Sequence, residues 1–252
     1  KPGEFYSEEL LYQMFGINAE LLIDHAWGYE SCTIAQIRAY KPQSSSLGCG
    51  QVLHCPYTAD KARIVVQEMI DGISLELVEK RLVTDQLVLT VGYDIENLTR
   101  PEIRKVYKGP VTTDRYGRRV PKHAHGTWNL PRATSSSSEL LEAMAALYDK
   151  IVNPALLIRR MSLSACHVVN EKMAKEREQK ETFEQLDLFT DYAKKEAKEK
   201  EEQKKRERER RMQEALLTIK KKYGKNAVLR GMNFEEGATA KERNGQIGGH
   251  QA

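Results

Sequence analysis

The sequence predicts an α+β fold: a split β-α-β-β-α-β unit with a four-stranded antiparallel sheet and two helices on one face. Three observations predict it. Two segments, Thr58 to Arg81 and Glu139 to Val152, repeat apolar residues at helical spacing. Short apolar runs flank and separate them in the order strand, helix, strand, strand, helix, strand. The composition then changes abruptly after Asn170, where apolar periodicity gives way to lysine, arginine and glutamate.

Residues 4–40 read as short helices. Leu10, Leu11, Met14, Phe15, Leu21, Leu22, Ile23 and Ala26 supply an apolar face, and Gly16 divides it. Residues 1–40 form a piece too small to fold alone. Lys41 to Val52 carries Pro42 and serines in linker fashion, and Leu47 to Leu53 begins a strand. The first long helix follows, with Thr58 placed as N-cap and Ile64, Val65, Met69, Ile73, Leu77 and Val78 on its apolar stripe. Gln86 to Asp94 reads as the second strand.

Ile95 to Arg119 is polar and broken by Pro101, Gly109, Pro110 and Gly117, as in an inserted loop or hairpin. The third strand spans about Lys122 to Pro131. Ser138 is placed as cap of the second long helix, which Asn153-Pro154 ends. The last strand, Leu156 to Val168, completes residues 41–170. With both helices on one face, the other face of the sheet meets water or a partner.

Beyond it, residues 171–192 read as a flexible polar tether carrying Gln185-Leu186-Asp187-Leu188-Phe189. Two leucines and a phenylalanine amid charge are too few for a core element, yet each is worth roughly 1.5–3 kcal/mol when a pocket takes it. Gln185, Leu186, Leu188 and Phe189 therefore read as a docking peptide. Residues 193–223 form a solvated helix supported by pairs such as Glu201/Lys205 and Glu207/Arg211. Apolar a and d positions are not sustained, which excludes a long coiled coil. Residues 224–252 are assigned an irregular structure, with a second docking peptide as the reading of their specific composition.

Bulk properties narrow the function. The chain has 252 residues, 40% hydrophobic and 30% charged, with formal net charge +4. That is a mild bias toward polyanions and establishes nothing alone. The four cysteines, Cys32, Cys49, Cys55 and Cys166, are scattered, and no segment has the apolar length of a membrane span. Reduced thiols and a cytoplasmic location are expected. His54, His123, His125, Cys49 and Cys55 lack the paired spacing of zinc ligands, and no nucleophile elbow accompanies the serines.

Several local patterns resemble the C-terminal half of a Y-family translesion DNA polymerase, nearest the UV-protection and mutagenesis branch. Leu11 to Gly16 with Asp24 to Glu30 is similar to the last thumb helices, although Trp27 stands where the family often has arginine. His125 to Thr134 resembles the third strand of the little-finger domain with its LP-x-x-T exit turn, and Gln185 to Phe189 resembles the sliding-clamp peptide. The resemblance implies a part of an error-prone polymerase that acts in damage bypass, DNA repair and the SOS response, with duplex template-primer DNA and the sliding clamp as partners.

The same resemblance implies phosphate contacts from the sheet face. Ser44, Ser46, Gly48 and Gly50 suit close backbone approach on the first strand. Arg160 and Ser162 share a face of the last strand under strict alternation, with Met161, Leu163 and Ala165 opposite. Lys122 and Arg132 add charge around the third strand. The family's two magnesium ions belong to palm aspartates absent before residue 41, and Asp85, Asp94 and Asp114 sit in the wrong contexts. This chain alone is therefore expected to bind no cofactor and to transfer no nucleotides, as a fragment lacking an N-terminal part. Two alternatives stay open: a non-enzymatic DNA- or clamp-binding accessory repair protein, and a scaffold built on the charged helix.

Overall fold

The computed structural model describes residues 7–40, 45–114, 117–181, 192–247 and 250–251; of 178–181, 192–199, 247 and 250–251 it describes the backbone alone. The chain divides into two compact units, Lys1–Gln43 and Ser44–Ala252.

The first unit contains α1 (Glu8–Phe15), α2 (Asn18–Ala26) and α3 (Ile34–Ala39). Ser7 caps α1 by accepting from the Leu10 amide, and Thr33 and Gln36 close a capping box on α3. Among the described residues of this unit Ala19 alone is buried, while Leu10, Met14, Phe15, Leu21, Leu22 and Trp27 are exposed. Three short helices of this size cannot bury their own apolar face.

The second unit begins with β1 (Leu47–Tyr57), α4 (Ala59–Lys80) and β2 (Leu82–Tyr93). An inserted segment holds α5 (Glu96–Thr99), α6 (Pro101–Val106) and a small hairpin of β3 (Val111–Thr113) and β4 (Arg119–Pro121). Asn97, fully buried, pins this insert by donating to the carbonyls of Asp94 and Leu157 and accepting from the Leu157 amide. Then follow β5 (Ala124–Thr134), α7 (Ser137–Ile151), β6 (Ile158–Cys166), β7 (Val169–Asn170), α8 (Glu171–Glu181) and α9 (Tyr192–Tyr223). A 3-10 turn (Gly231–Phe234), α10 (Ala240–Arg243) and the pair β8 (Gln246–Ile247) and β9 (His250–Gln251) end the chain.

The sheet order is β1-β6-β2-β5, every pairing antiparallel, with β7 added beside the start of β2. An antiparallel strand thus separates β1 from β2, and likewise β5 from β6, which is the split arrangement expected. Leu87, Leu89 and Val91 of β2 and Met161, Leu163 and Ala165 of β6 are buried against Val65, Met69, Ile73 and Leu77 of α4 and Leu140, Met144 and Leu147 of α7. At roughly 1.5–3 kcal/mol per large apolar side chain, this single layer stabilises the unit.

Details differ from expectation for local reasons. Thr58 occupies the N-cap of α4, but its side chain makes no capping bond. Helix α7 starts earlier than Ser138, because Ser136 accepts from the Glu139 amide; Ser138 lies inside the first turn. Residues 171–181, read as flexible tether, are helical, and Gln185, Leu186, Leu188 and Phe189 lie outside the described residues, as does Ser44.

The larger correction concerns residues 193–252. Helix α9 is not solvated throughout: Gln213 is 2% exposed, and its amide donates to the Ser135 carbonyl and the Ser137 hydroxyl. Glu209 accepts from the Ser138 amide and from the hydroxyls of Ser136 and Ser138, so a carboxylate from α9 caps α7 where its dipole favours negative charge. Arg210 ties Ser135 to Glu171.

Residues 224–243 are equally anchored. Ion pairs from α9 and the following segment run back along α4, from Lys221–Glu79 through Arg230–Asp71 to Glu236–Lys61. The segment is a strap over α4.

Candidate nucleic-acid interface

The face of the sheet opposite α4 and α7 is open. Alternation along β6 turns Arg160, Ser162 and Ser164 outward. The register assembles transverse rows across the face: Gly48, Ser164, Val88 and Thr127; Gly50, Ser162, Thr90 and His125; Val52, Arg160 and Gly92. A further row joins Cys166, Gln86 and Asn129. No aspartate or glutamate occurs in these rows.

Glycines in these rows leave room for the side chains of neighbouring strands. A Cβ at Gly48 would stand 2.9 Å from Ser164 Oγ, so glycine there lets the neighbouring serine lie across the strand. At Gly92 a Cβ would lie 2.6 Å from Arg160 Cγ. The arginine stem therefore rests on the glycine backbone with its guanidinium in solvent. No ion pair engages Arg160 among the described residues. Side chains on the rows also bond laterally: Gln86 Nε2 donates to Asn129 Oδ1 at 2.9 Å, and Thr90 Oγ1 lies 2.9 Å from His125 Nδ1.

Of the residues singled out from sequence, Gly48, Gly50, Arg160 and Ser162 come together on this face. Ser46 is exposed just before β1. Lys122 is exposed just before β5, its amide bonded to the Pro110 carbonyl. Arg132 is half-buried and paired with Glu139 in the first turn of α7, so its charge is already neutralised. The register of β2 and β5 shifts between Thr84 and Gln86, which places Arg132 in a bulged exit turn.

Sequence reasoning did not assign Gln86, Thr90, Thr127 and Asn129 to this face. Their strict alternation with Leu87, Leu89, Trp128 and Leu130 carried that information.

The carboxylates do not fit the magnesium pair of a polymerase palm. Asp85 lies 2.8 Å from His167 Nδ1. Asp94 accepts from the Glu96 amide and faces Arg159, and Asp114 pairs with Arg118. Among the described residues no group of three or more His, Cys, Asp or Glu side chains is placed to hold a metal ion. No described helix is long and apolar enough to cross a membrane.

Fold and face together define an α+β domain whose open sheet face carries rows of small and polar side chains with Arg160 and no carboxylate among them. No family model matches the sequence, and no curated protein does. Solved structures similar to this chain include a complex of the beta-clamp processivity factor and the little finger domain of PolIV, at 9% sequence identity and TM-score 0.32, covering 58% of this chain and 100% of that one.

Proposed function

We propose that this chain is the thumb end, duplex-gripping domain and clamp-docking tail of a Y-family DNA polymerase used in translesion synthesis. The observation that carries the duplex part is the open sheet face, where rows of Gly, Ser and Thr flank Arg160, unpaired among the described residues, and no carboxylate stands in the rows. The motif resemblances at residues 125–134 and 185–189 supply the family and the clamp.

On this reading phosphates approach the backbone at Gly48 and Gly50, hydroxyls of Ser46, Ser162 and Thr90 donate to phosphate oxygens, and Arg160 and Lys122 displace counterions. None of these groups reads a base edge, so binding is independent of sequence and tolerates lesions. Gln185, Leu186, Leu188 and Phe189 tether the domain to the sliding clamp. Nucleotide transfer with magnesium belongs to a palm domain, and none of the chemistry is routed through this chain.

A fluorescence titration with labelled duplex DNA of mixed sequence, run at several salt concentrations, tests the reading. The logarithm of the affinity is expected to fall linearly with log salt at a slope of about −0.9 per phosphate engaged. Absence of salt-dependent binding refutes the duplex assignment. A duplex preference for one sequence refutes the backbone mechanism.

A further inference from the structure

We infer that the C-terminal strap is a positioning device for the edge strand of the sheet face, with Gln51 as the joint and Glu68 as the anchor. The part concerning duplex grip rests on the function proposed above; the mechanical part does not.

Strand β1 needs such support. It lies at the sheet edge with β6 as its ladder partner, and its register breaks between Val52 and Tyr57. Gly48 and Gly50 contribute no side chains to hold it. The inward series Leu47, Cys49, Gln51 and Leu53 must fix the strand from the helix side, yet one of the four is a polar amide.

The strap satisfies that amide at both ends. Gln51 Nε2 donates to Thr239 Oγ1 at 2.9 Å, and Arg243 Nη1 donates to Gln51 Oε1 at 2.7 Å. Thr239 is itself held by Glu68, which is 3% exposed on α4. Glu68 Oε2 accepts from the amides of Thr239 at 2.8 Å and Ala240 at 3.0 Å, while Oε1 accepts from Asn233 Nδ2 at 2.7 Å. A buried carboxylate taking several N–H donors is one of the stronger polar contacts a protein makes. A continuous chain of bonds thus runs from α4 through Glu68 and Thr239 to Gln51, between Gly50 and Val52 of the open face. Thr239 and Arg243 are positioning residues for β1, and the polar groups through which the strap binds are committed within its own domain.

Hydrogen exchange on the full chain tests this. Thr239→Val combined with Arg243→Ala is expected to speed exchange of the amides at residues 47–52 by about ten-fold, with residues 87–91 unchanged, because opening becomes local to the edge strand. Thr239→Ser with Arg243 intact retains the hydroxyl and must keep the parent protection. Unchanged exchange at 47–52 in the double variant, or lost protection in Thr239→Ser, overturns the inference. If residues 87–91 also speed up, the serine variant alone decides.

The duplex titration supplies the second readout. The double variant is expected to bind several-fold more weakly with an unchanged salt slope, since no phosphate contact is removed. A slope reduced by about 0.9 makes Arg243 a direct phosphate ligand and overturns the positioning role. A parent chain that fails to bind duplex at all removes the proposed function while leaving the exchange result intact.

Discussion

Arg160→Ala isolates the electrostatic part of the duplex grip. The side chain is exposed, rests on Gly92, and has no ion-pair partner among the described residues, so truncation leaves no buried charge behind. Its cost to folding is expected to stay within about 0.5–1 kcal/mol. If the guanidinium neutralises one phosphate, the slope of log affinity against log salt becomes shallower by about 0.9. Between 50 and 200 mM salt, a four-fold change, the variant should therefore lose about 3.5-fold less affinity than the parent. At low salt, an exposed charge contact of up to about 1 kcal/mol corresponds to binding about five-fold weaker. Arg160→Lys preserves the charge and should preserve the slope. Fluorescence anisotropy with one labelled duplex at several salt concentrations measures all three proteins. An Arg160→Ala slope equal to that of the parent would refute the phosphate contact, whatever the change in affinity.

Leu188→Ala with Phe189→Ala should weaken binding to the sliding clamp at least about ten-fold, since two anchors of a small interface are lost; surface plasmon resonance showing equal affinity would sink the peptide assignment. Gln213→Ala strands the Ser135 carbonyl in a buried site and is expected to cost about 1–3 kcal/mol, lowering the melting temperature by about 2–12 °C at this chain length. Asp71 is held above the usual carboxylate range, first by burial, against the opposing pull of Arg230. A carboxylate raised in the folded state contributes stability that is full below its unfolded value of 3.8 and is lost as pH rises through the folded value. Asp71→Asn should therefore flatten the decline of melting temperature above that value, and an identical pH profile would contradict it.

The split unit was legible because its periodicities agree with its topology. Val65, Met69, Ile73 and Leu77 sit at helical spacing, Met161, Leu163 and Ala165 alternate with Arg160, Ser162 and Ser164, and all pack as those patterns require. The start of β2 escapes the period-two reading because Leu82 and Val83 pair with β7, and the register against β5 shifts between Thr84 and Gln86. The docking of α9 was invisible for a different reason. Its contacts are made by Glu209, Arg210 and Gln213, types that elsewhere in the same helix face water, and only the serines at 135–138 distinguish their environment. Arg132 shows the converse limit: its charge suggested phosphate, but Glu139, seven residues on, neutralises it through a bulge that spacing alone does not reveal.

That contrast bears on how the domain divides its charge. Carboxylates are collected on the helix side, where Glu209 caps α7, Glu68 caps α10, and Asp71 and Glu79 meet Arg230 and Lys221. Glu68, Asp71 and Glu79 are matched there by amides or cations supplied from α9 or the strap, and Glu209, itself on α9, is matched by the Ser138 amide and the hydroxyls of Ser136 and Ser138. Without residues 200–243, the outer surface of α4 would present Glu68 and Asp71 with no partner from these elements, and buried or half-buried carboxylates without partners are costly. The strap thereby permits an arrangement in which the carboxylates of Glu68, Asp71 and Glu79 lie on the helix side of the sheet. On the proposed function a polyanion approaching the open rows meets hydroxyls, backbone amides and Arg160 first, while Glu68, Asp71 and Glu79 stand on the helix side with partners of their own. The proposed sequence-independent grip would need that asymmetry more than a high net charge, and a formal charge of only +4 is compatible with it.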